Sequence, residues 1–401
     1  MRSSHSGGLT FINARSSGGD IITLRIAGSH IAAVGQHPLP DDRVVDLQGD
    51  RLLPGFINAH DHLSLNSLSR HGSHTLQGSP TRYGHAREWM SDIVARRRSD
   101  PQFAADVAVR RDARLLIGGI KNLLSGVTTA AHHDPLYTYL SSPDYPIGVV
   151  QHYGWSHSLY VEGEESVADS YRRTPRTWPW IMHAAEGLNH EAANEFERLD
   201  ALGCLGANTV LVHGIALDQE QRMRLTRAAA GLIWCPSSNL NLFGRTAEVS
   251  DLVRHRRVAL GTDSRLSGAR DLLEELHAAG EVCELDDRAM ERLVTRDSAR
   301  LLRLADRGAL CAGMRADLVI LPARARLAAL RRSDVRLVLI GGGVRYGDRD
   351  IACLVEPASQ WADVHVDGAA KILDGRIAAA LAVCTAEEPG LVIRSAAWRA
   401  A

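Results

Sequence analysis

Lysine is nearly missing from this sequence. Of 46 basic residues only Lys121 and Lys371 are lysines, and the rest are arginines, which reads as coding bias rather than as a binding surface. The 47 acidic residues bring the net charge to −1, so there is no basic stripe for nucleic acid and no acidic tail. No apolar run approaches the roughly 18 residues of a membrane span. The opening MRSSHSGGLT lacks the apolar core of a signal peptide, so export is not expected. Six cysteines, at 204, 235, 283, 311, 353 and 384, form no CxxC and no tight framework, as expected of reduced thiols in a cytoplasm. Repeats and low-complexity tracts are also absent. What remains is a cytoplasmic globular chain of 401 residues, with room for one large domain and a smaller one.

Two grammars alternate along it. Residues 9 to 54 read as short strands (LTFINA, DIITLRIAG, HIAAVGQ, RVVDLQG) punctuated by glycines 28, 35 and 49. From Phe56 the pattern becomes apolar strands separated by amphipathic helices. The strands are FINAH, VTTAAHH, IGVVQHY, PWIMHAAE, TVLVHG, LIWCPSSN and VALGTDS; helical spacing runs over Phe103–Leu124, Glu191–Leu202 and about 219–230. Repeated strand-then-helix units imply a parallel sheet, and seven or eight of them predict a (β/α)8 barrel. After Leu304 the text is strand-like again, in ADLVILP and VRLVLIGGGVRYGD. Both ends are therefore expected to pair into a small composite β-sandwich domain, from 1–54 and 308–401, beside a barrel at 55–307. Residues 355–401 carry no clear pattern. Between VTTAAHH and PWIMHAAE only one strand is plain, so an abbreviated third-to-fourth unit is expected.

His60 and His62 end the first barrel strand, in LLPGFINAHDHLSLNS. With 18 histidines in the chain, about 0.8 HxH pairs arise by chance, so the pair alone is weak. Later strands strengthen it, for they too end in polar, metal-competent or acid-base residues: His183 and Glu186 in IMHAAEG, His213 in VLVHG and Asp263 in ALGTDS. Polar groups there are costly to bury unless paired or bound, and a barrel gathers its strand ends around one pocket.

These motifs resemble the amidohydrolase superfamily, in its branch of cytosine deaminase, guanine deaminase, imidazolonepropionase and triazine hydrolases. The resemblance covers LLPGFINAHDH, MHAAEG, VHG, CPSSNLNLFG, GTDS and the tail ARLLRLADRGALCAGMRADLVIL, whose Gly313, Ala316 and Asp317 fit a G-x-x-A-D-L ending. It implies His60, His62, His183 and Asp263 as ligands of one divalent metal, zinc first, with iron or manganese able to use the same donors. Relatives elsewhere in the superfamily bridge two metals with a carboxylated lysine. Here Lys121 precedes GVTT and Lys371 lies past the barrel, so one metal is expected.

The implied chemistry is attack by a metal-activated hydroxide on an sp2 carbon bonded to nitrogen. Asp263 would take the water's proton, Glu186 would protonate a ring nitrogen or leaving amine, and His213 would stabilise the group under attack. Hydrolytic deamination of a small heterocycle or cyclic amidine is the leading reading. The alternatives are an amide or N-acyl hydrolase releasing a larger amine, as in secondary metabolism, and an inactive scaffold on the same fold. Asn66, Trp89, His133, His152, Trp155 and His157 are candidate substrate contacts; Arg70 and Tyr83 stand near them, and Ser237–Asn239 ends the seventh strand as backbone support. The expected partner is a small-molecule substrate, with no nucleic acid and no membrane. A homodimer is the assembly the resemblance suggests.

Overall fold

Leu52 and Leu53 face opposite ways, and that alternation organises the molecule. A computed structural model of the chain describes residues 7–72, 75–76, 79–80, 82–357 and 360–394; Met1–Ser6, part of the stretch read for a leader, lie outside them. The strand Arg51–Pro54 runs antiparallel to Leu318–Leu321, with Leu52 opposite Ile320 and Leu53 opposite Val319. This joint welds the strands of the two chain ends into one sheet of eleven strands, from Leu391–Ile393 at one edge to His30–Val34 at the other. A sandwich was expected; hydrogen bonding instead makes a single continuous sheet. Side chains alternate across a strand, so Phe11, Leu52, Ile320 and Leu339 form the sheet's own core. Leu53, Val319, Leu321 and Val338 join the main core on the other face.

Eight parallel strands follow: β1 Phe56–Asp61, β2 Val127–His132, β3 Gly148–Val149, β4 Gly154–Ser156, β5 Trp180–Ala184, β6 Thr209–His213, β7 Gly231–Trp234 and β8 Val258–Leu260. They fall into two sheets, β3-β2-β1 and β4-β5-β6-β7-β8. A parallel bridge between Asp61 and Asp263, with Asp263 N–H donating to the His60 carbonyl at 3.1 Å, brings the ends of β1 and β8 together. On the other side only Val150–Tyr153 separates β3 from β4. Parallel neighbours need a crossover of about a dozen residues or more, so so short a link leaves these two strands unbonded to each other. Hydrogen bonds among the described residues therefore show mostly parallel α/β sheets without a closed barrel. The abbreviated unit expected from the sequence lies at this seam.

Three α-helices lie between β1 and β2 among the described residues: α1 Ala86–Ser99, α2 Pro101–Ala108 and α3 Arg111–Leu124. Sequence spacing predicted one helix over Phe103–Leu124 and none before it. The break falls at Val109, whose ψ of 138° is extended, while α2 starts from an Asp100 cap with Pro101 behind it. On α3, Leu115, Ile120 and Leu124 reach the main core. A Cβ on Gly118 would lie 2.2 Å from the Leu63 carbonyl oxygen, so only glycine lets α3 press directly on the turn after His62. The segment with no clear pattern forms a hairpin, Trp361–Val366 with Ala369–Asp374, then a helix Gly375–Ala382 and the edge strand Leu391–Ile393. A two-glycine turn, Gly341-Gly342, joins Leu337–Ile340 to Gly343–Gly347. No helix among the described residues is long and apolar enough to cross a membrane.

Candidate active site

Three imidazoles meet at the C-terminal ends of β1 and β5. His60 Nε2 and His183 Nε2 are 3.3 Å apart, and the donor atoms of His60, His62 and His183 all lie within 4.8 Å of one another. Asp263 Oδ1 stands 3.7 Å from His60 Nε2 and 3.6 Å from His62 Nε2. Donors about 2.05 Å from a central zinc at tetrahedral corners would be about 3.3 Å apart, so these separations fit a small cation.

The far side of each ring explains why Nε2 points inward. His183 Nδ1–H donates to the His157 carbonyl at 2.9 Å. His62 Nδ1–H donates to Asp134 Oδ2 at 3.2 Å. His133 Nε2–H donates to the Ser156 carbonyl at 3.0 Å, which leaves its Nδ1 to accept from His60 Nδ1–H at 3.2 Å. Each Nδ1–H is thus committed, and each Nε2 is turned to the same point. Such partners fix the tautomer and orientation of metal-binding imidazoles. Asp263 divides its oxygens the same way: Oδ2 accepts from Ser238 Oγ at 2.7 Å and Ser267 Oγ at 2.6 Å, while Oδ1 faces the histidines.

Electrostatics follow from burial. Desolvation pushes His60 down to about 4 and His183 well below its ordinary value, so both rings stay neutral and available as ligands. Burial also works to lower His62, but the hydrogen bond and charge of Asp134, with Asp263 and Asp61, prevail and raise it to about 9. Glu186 is raised well above the carboxylate range by burial first, then by the charges of Asp263 and Glu195. Its Oε1 lies 3.5 Å from His213 Nε2. His213 Nδ1–H donates to Asn239 Oδ1 at 2.8 Å, so Nε2 is the nitrogen turned to Glu186. His213, Asp263 and Ala185 have φ of 73°, 55° and 53°, left-handed values that cost about 1–3 kcal/mol each in residues other than glycine. Glu195 supports the last by accepting the Ala185 N–H at 2.7 Å.

Beneath the histidines is a second polar layer. Asp61, between the two histidines in sequence, accepts from Asn66, Asn58, Asn122 and the Lys121 ammonium at 2.7, 3.1, 2.8 and 3.2 Å. Lys121 also donates to Thr262 Oγ1 at 2.9 Å and Asn66 Oδ1 at 2.8 Å, and both Lys121 and Asp61 are fully buried. A brace from the far end of the chain reaches this layer. Arg265 donates to both oxygens of the buried Glu388, at 3.0 and 3.1 Å, and to the Asn66 carbonyl at 2.9 Å.

The sequence candidates sort accordingly. His60, His62, His183, Asp263, Glu186 and His213 come together, and His157 and Trp89 line the cavity of ≈ 310 Å³ in front of them. Four others do not line it. Asn66 is fully buried and spent on Asp61. His133 sits behind His60 as its hydrogen-bond partner. Trp155 packs the edge of its ring on His133, centroids 5.5 Å apart. His152 lies past the end of β3, exposed, against Trp178 and a separate cavity. Tyr83 turns its hydroxyl to Asp92 at 2.6 Å. Ser237–Asn239 belongs to a helix, α4 Pro236–Phe243, and supports the site through the Ser238 and Asn239 side chains rather than its backbone. Sequence reading missed Asp134, Asp61 and Lys121. Asp134 had a signal, directly after two histidines in HHDP.

Strand tips that carry converging imidazoles and a carboxylate make a donor set that could hold a divalent metal. An amidohydrolase family model matches residues 180–345. It is 26% identical to an 8-oxoguanine deaminase of Pseudomonas aeruginosa, over 86% of this chain and 88% of that one. With a 5-methylthioadenosine/S-adenosylhomocysteine deaminase of Nitratidesulfovibrio vulgaris it shares 24% identity, over 81% and 87%. Two solved structures share its fold. An adenosine deaminase from Xanthomonas campestris with bound zinc has a TM-score of 0.69 at 18% identity, covering 88% of this chain and 97% of that one. An atrazine chlorohydrolase from Arthrobacter aurescens, complexed with zinc and atraton, has 0.66 at 16%, covering 84% and 94%.

Proposed function

We propose that this chain is a metal-dependent hydrolase of carbon–nitrogen bonds that hydrolytically deaminates a small heterocycle or cyclic amidine. The observation that carries the reading is the convergence of three Nε2 atoms and one carboxylate oxygen, each residue held by a hydrogen bond on its far side. His60, His62, His183 and Asp263 would hold one divalent metal, zinc first by donor type. Lys121 is spent on Asp61 and Lys371 on Asp348 and the Val335 carbonyl, so neither is at hand to bridge a second. When bound, the metal supplies Lewis-acid chemistry that brings water toward hydroxide at neutral pH.

The chain's own residues do the rest. Asp263, with Oδ2 tied to two serines, takes the water's proton on its inward oxygen. Glu186, kept protonated by burial, gives a proton to the ring nitrogen or departing amine, a transfer worth about 10²- to 10⁴-fold in rate. His213 Nε2 bonds the group under attack and orients it toward Glu186. The deaminases among the relatives support the same reaction. In this reading β3 and β4 close an eight-stranded barrel across 55–307, with 1–54 and 308–401 as its composite partner, acting as a cytoplasmic homodimer.

Metal analysis of chelator-free protein, alongside ammonia release from aminopurines and aminotriazines, tests the reading. About one metal per chain with ammonia release supports it. A metal-free, fully folded protein would falsify it.

A further inference from the structure

We infer that the substrate carries a neutral apolar arm, alkyl or aryl, that lies along α1 and α2 while its reacting carbon stands at the histidine cluster. This rests on the hydrolase reading and adds to it the class of substrate. The cavity that starts at His62, His183 and Asp263 continues over Leu68, Trp89, Ile93, Phe103, Val107 and Leu266. Those six pack on one another as a cluster separate from the main core. The Trp89 indole N–H is spent on the His71 carbonyl at 3.3 Å, so its ring offers the cavity no donor.

Helix α1 would be hard to explain otherwise. Its apolar residues Val94 and Ile93 line the cavity, yet Val94 is 51% exposed, so this face meets open space rather than the main core. An apolar face on an open cavity is stabilised by an apolar occupant. The polar lining residues gather at the metal end, and among the described residues that line the cavity there is no Asn or Gln to read the edges of a base. The cation on the far wall, Arg97, belongs to the last turn of α1, is solvent-exposed, and stays hydrated with a neutral arm in place.

Alkyl hydroxamates provide the probe, because the head ligates a divalent metal and the tail must enter the cavity. Zinc-loaded protein is titrated calorimetrically with aceto-, butyro-, hexano- and octanohydroxamate, and with the carboxylate-ended adipic monohydroxamate. Affinity should rise about fourfold per methylene over the first carbons, and hexanohydroxamate should bind more tightly than the adipic compound. Ile93→Asp should flatten the series; if that variant does not fold, the wild-type series decides alone. Acetohydroxamate binding with no dependence on tail length overturns the arm and leaves the hydrolase reading standing. Tighter binding of the adipic compound overturns the neutral arm. No hydroxamate binding at all overturns the hydrolase reading beneath it.

Discussion

The two ends of the cavity are built by different rules. At the metal end every functional atom is fixed from behind: His60 by His133, His62 by Asp134, His183 by a backbone carbonyl, Asp263 by Ser238 and Ser267. The α1–α2 wall is instead a set of carbon surfaces held by mutual packing. Hydrogen-bonded networks lose function when one member changes, whereas apolar packing of conserved volume tolerates exchange. Chemistry is therefore locked at one end, and selectivity is adjustable at the other.

The sharpest way to break this contrast is at the ligands. His60→Ala should fold, lose bound metal and lose all turnover; full metal occupancy by elemental analysis would remove His60 from the set. Glu186→Gln should keep the metal and lose about 10²- to 10⁴-fold in turnover, and a wild-type rate would take Glu186 out of the reaction. In the layer beneath, Lys121→Met leaves Asp61 buried without its counter-charge, so unfolding free energy should fall by about 3–5 kcal/mol in denaturant titration. An unchanged midpoint would mean that the layer rearranges freely. Asp134→Asn keeps the shape but weakens the hold on His62, and a competing chelator should register a loss of about 10- to 100-fold in metal affinity.

The smallest effect is expected at Glu275, fully buried next to α4, where its Oε1 accepts the Ser237 N–H at 2.9 Å and burial raises its carboxyl to about 8. A carboxyl raised on folding binds its proton more tightly in the native state. Its contribution is therefore fully present below the unfolded pKa and is lost as pH rises from about 4.5 to about 8. Glu275→Gln should raise Tm by about 2–4 °C at pH 8 and leave it unchanged near pH 4; an equal shift at both would point to packing instead.

The same contrast decided what could be read from sequence. His183 and His213 stood out because a polar residue directly after a Val/Leu/Met run is anomalous unless something binds it, and Asp263 because it follows the same kind of strand after two intervening residues. Trp89 was noticed, but α1 itself was not, since its few apolar residues stand among four arginines and nothing local says that they face a cavity. Asn66 and His133 were read as substrate contacts because polarity near a ligand does not reveal which side of it a residue occupies. Lys121 looked idle for a similar reason. Its partners Asp61 and Thr262 are 60 and 141 positions away, a separation no local pattern encodes. The β3–β4 seam was legible as a deficit, because too few residues remained for a full unit.

Glu388 gives the molecule a timetable. Its partner Arg265 is 123 positions earlier, and every proposed metal ligand is earlier still. On the ribosome, chains fold from the N-terminus as they emerge. The histidines and Asp263 can thus come together while Arg265 still lacks its carboxylate, and the loop carrying Asp263 gains its last brace when residue 388 arrives. A ribosome stalled between those points would hold a chain with all its ligands and a centre short of one brace. Completion of the enzyme would then be paced by synthesis of a segment that never touches the substrate.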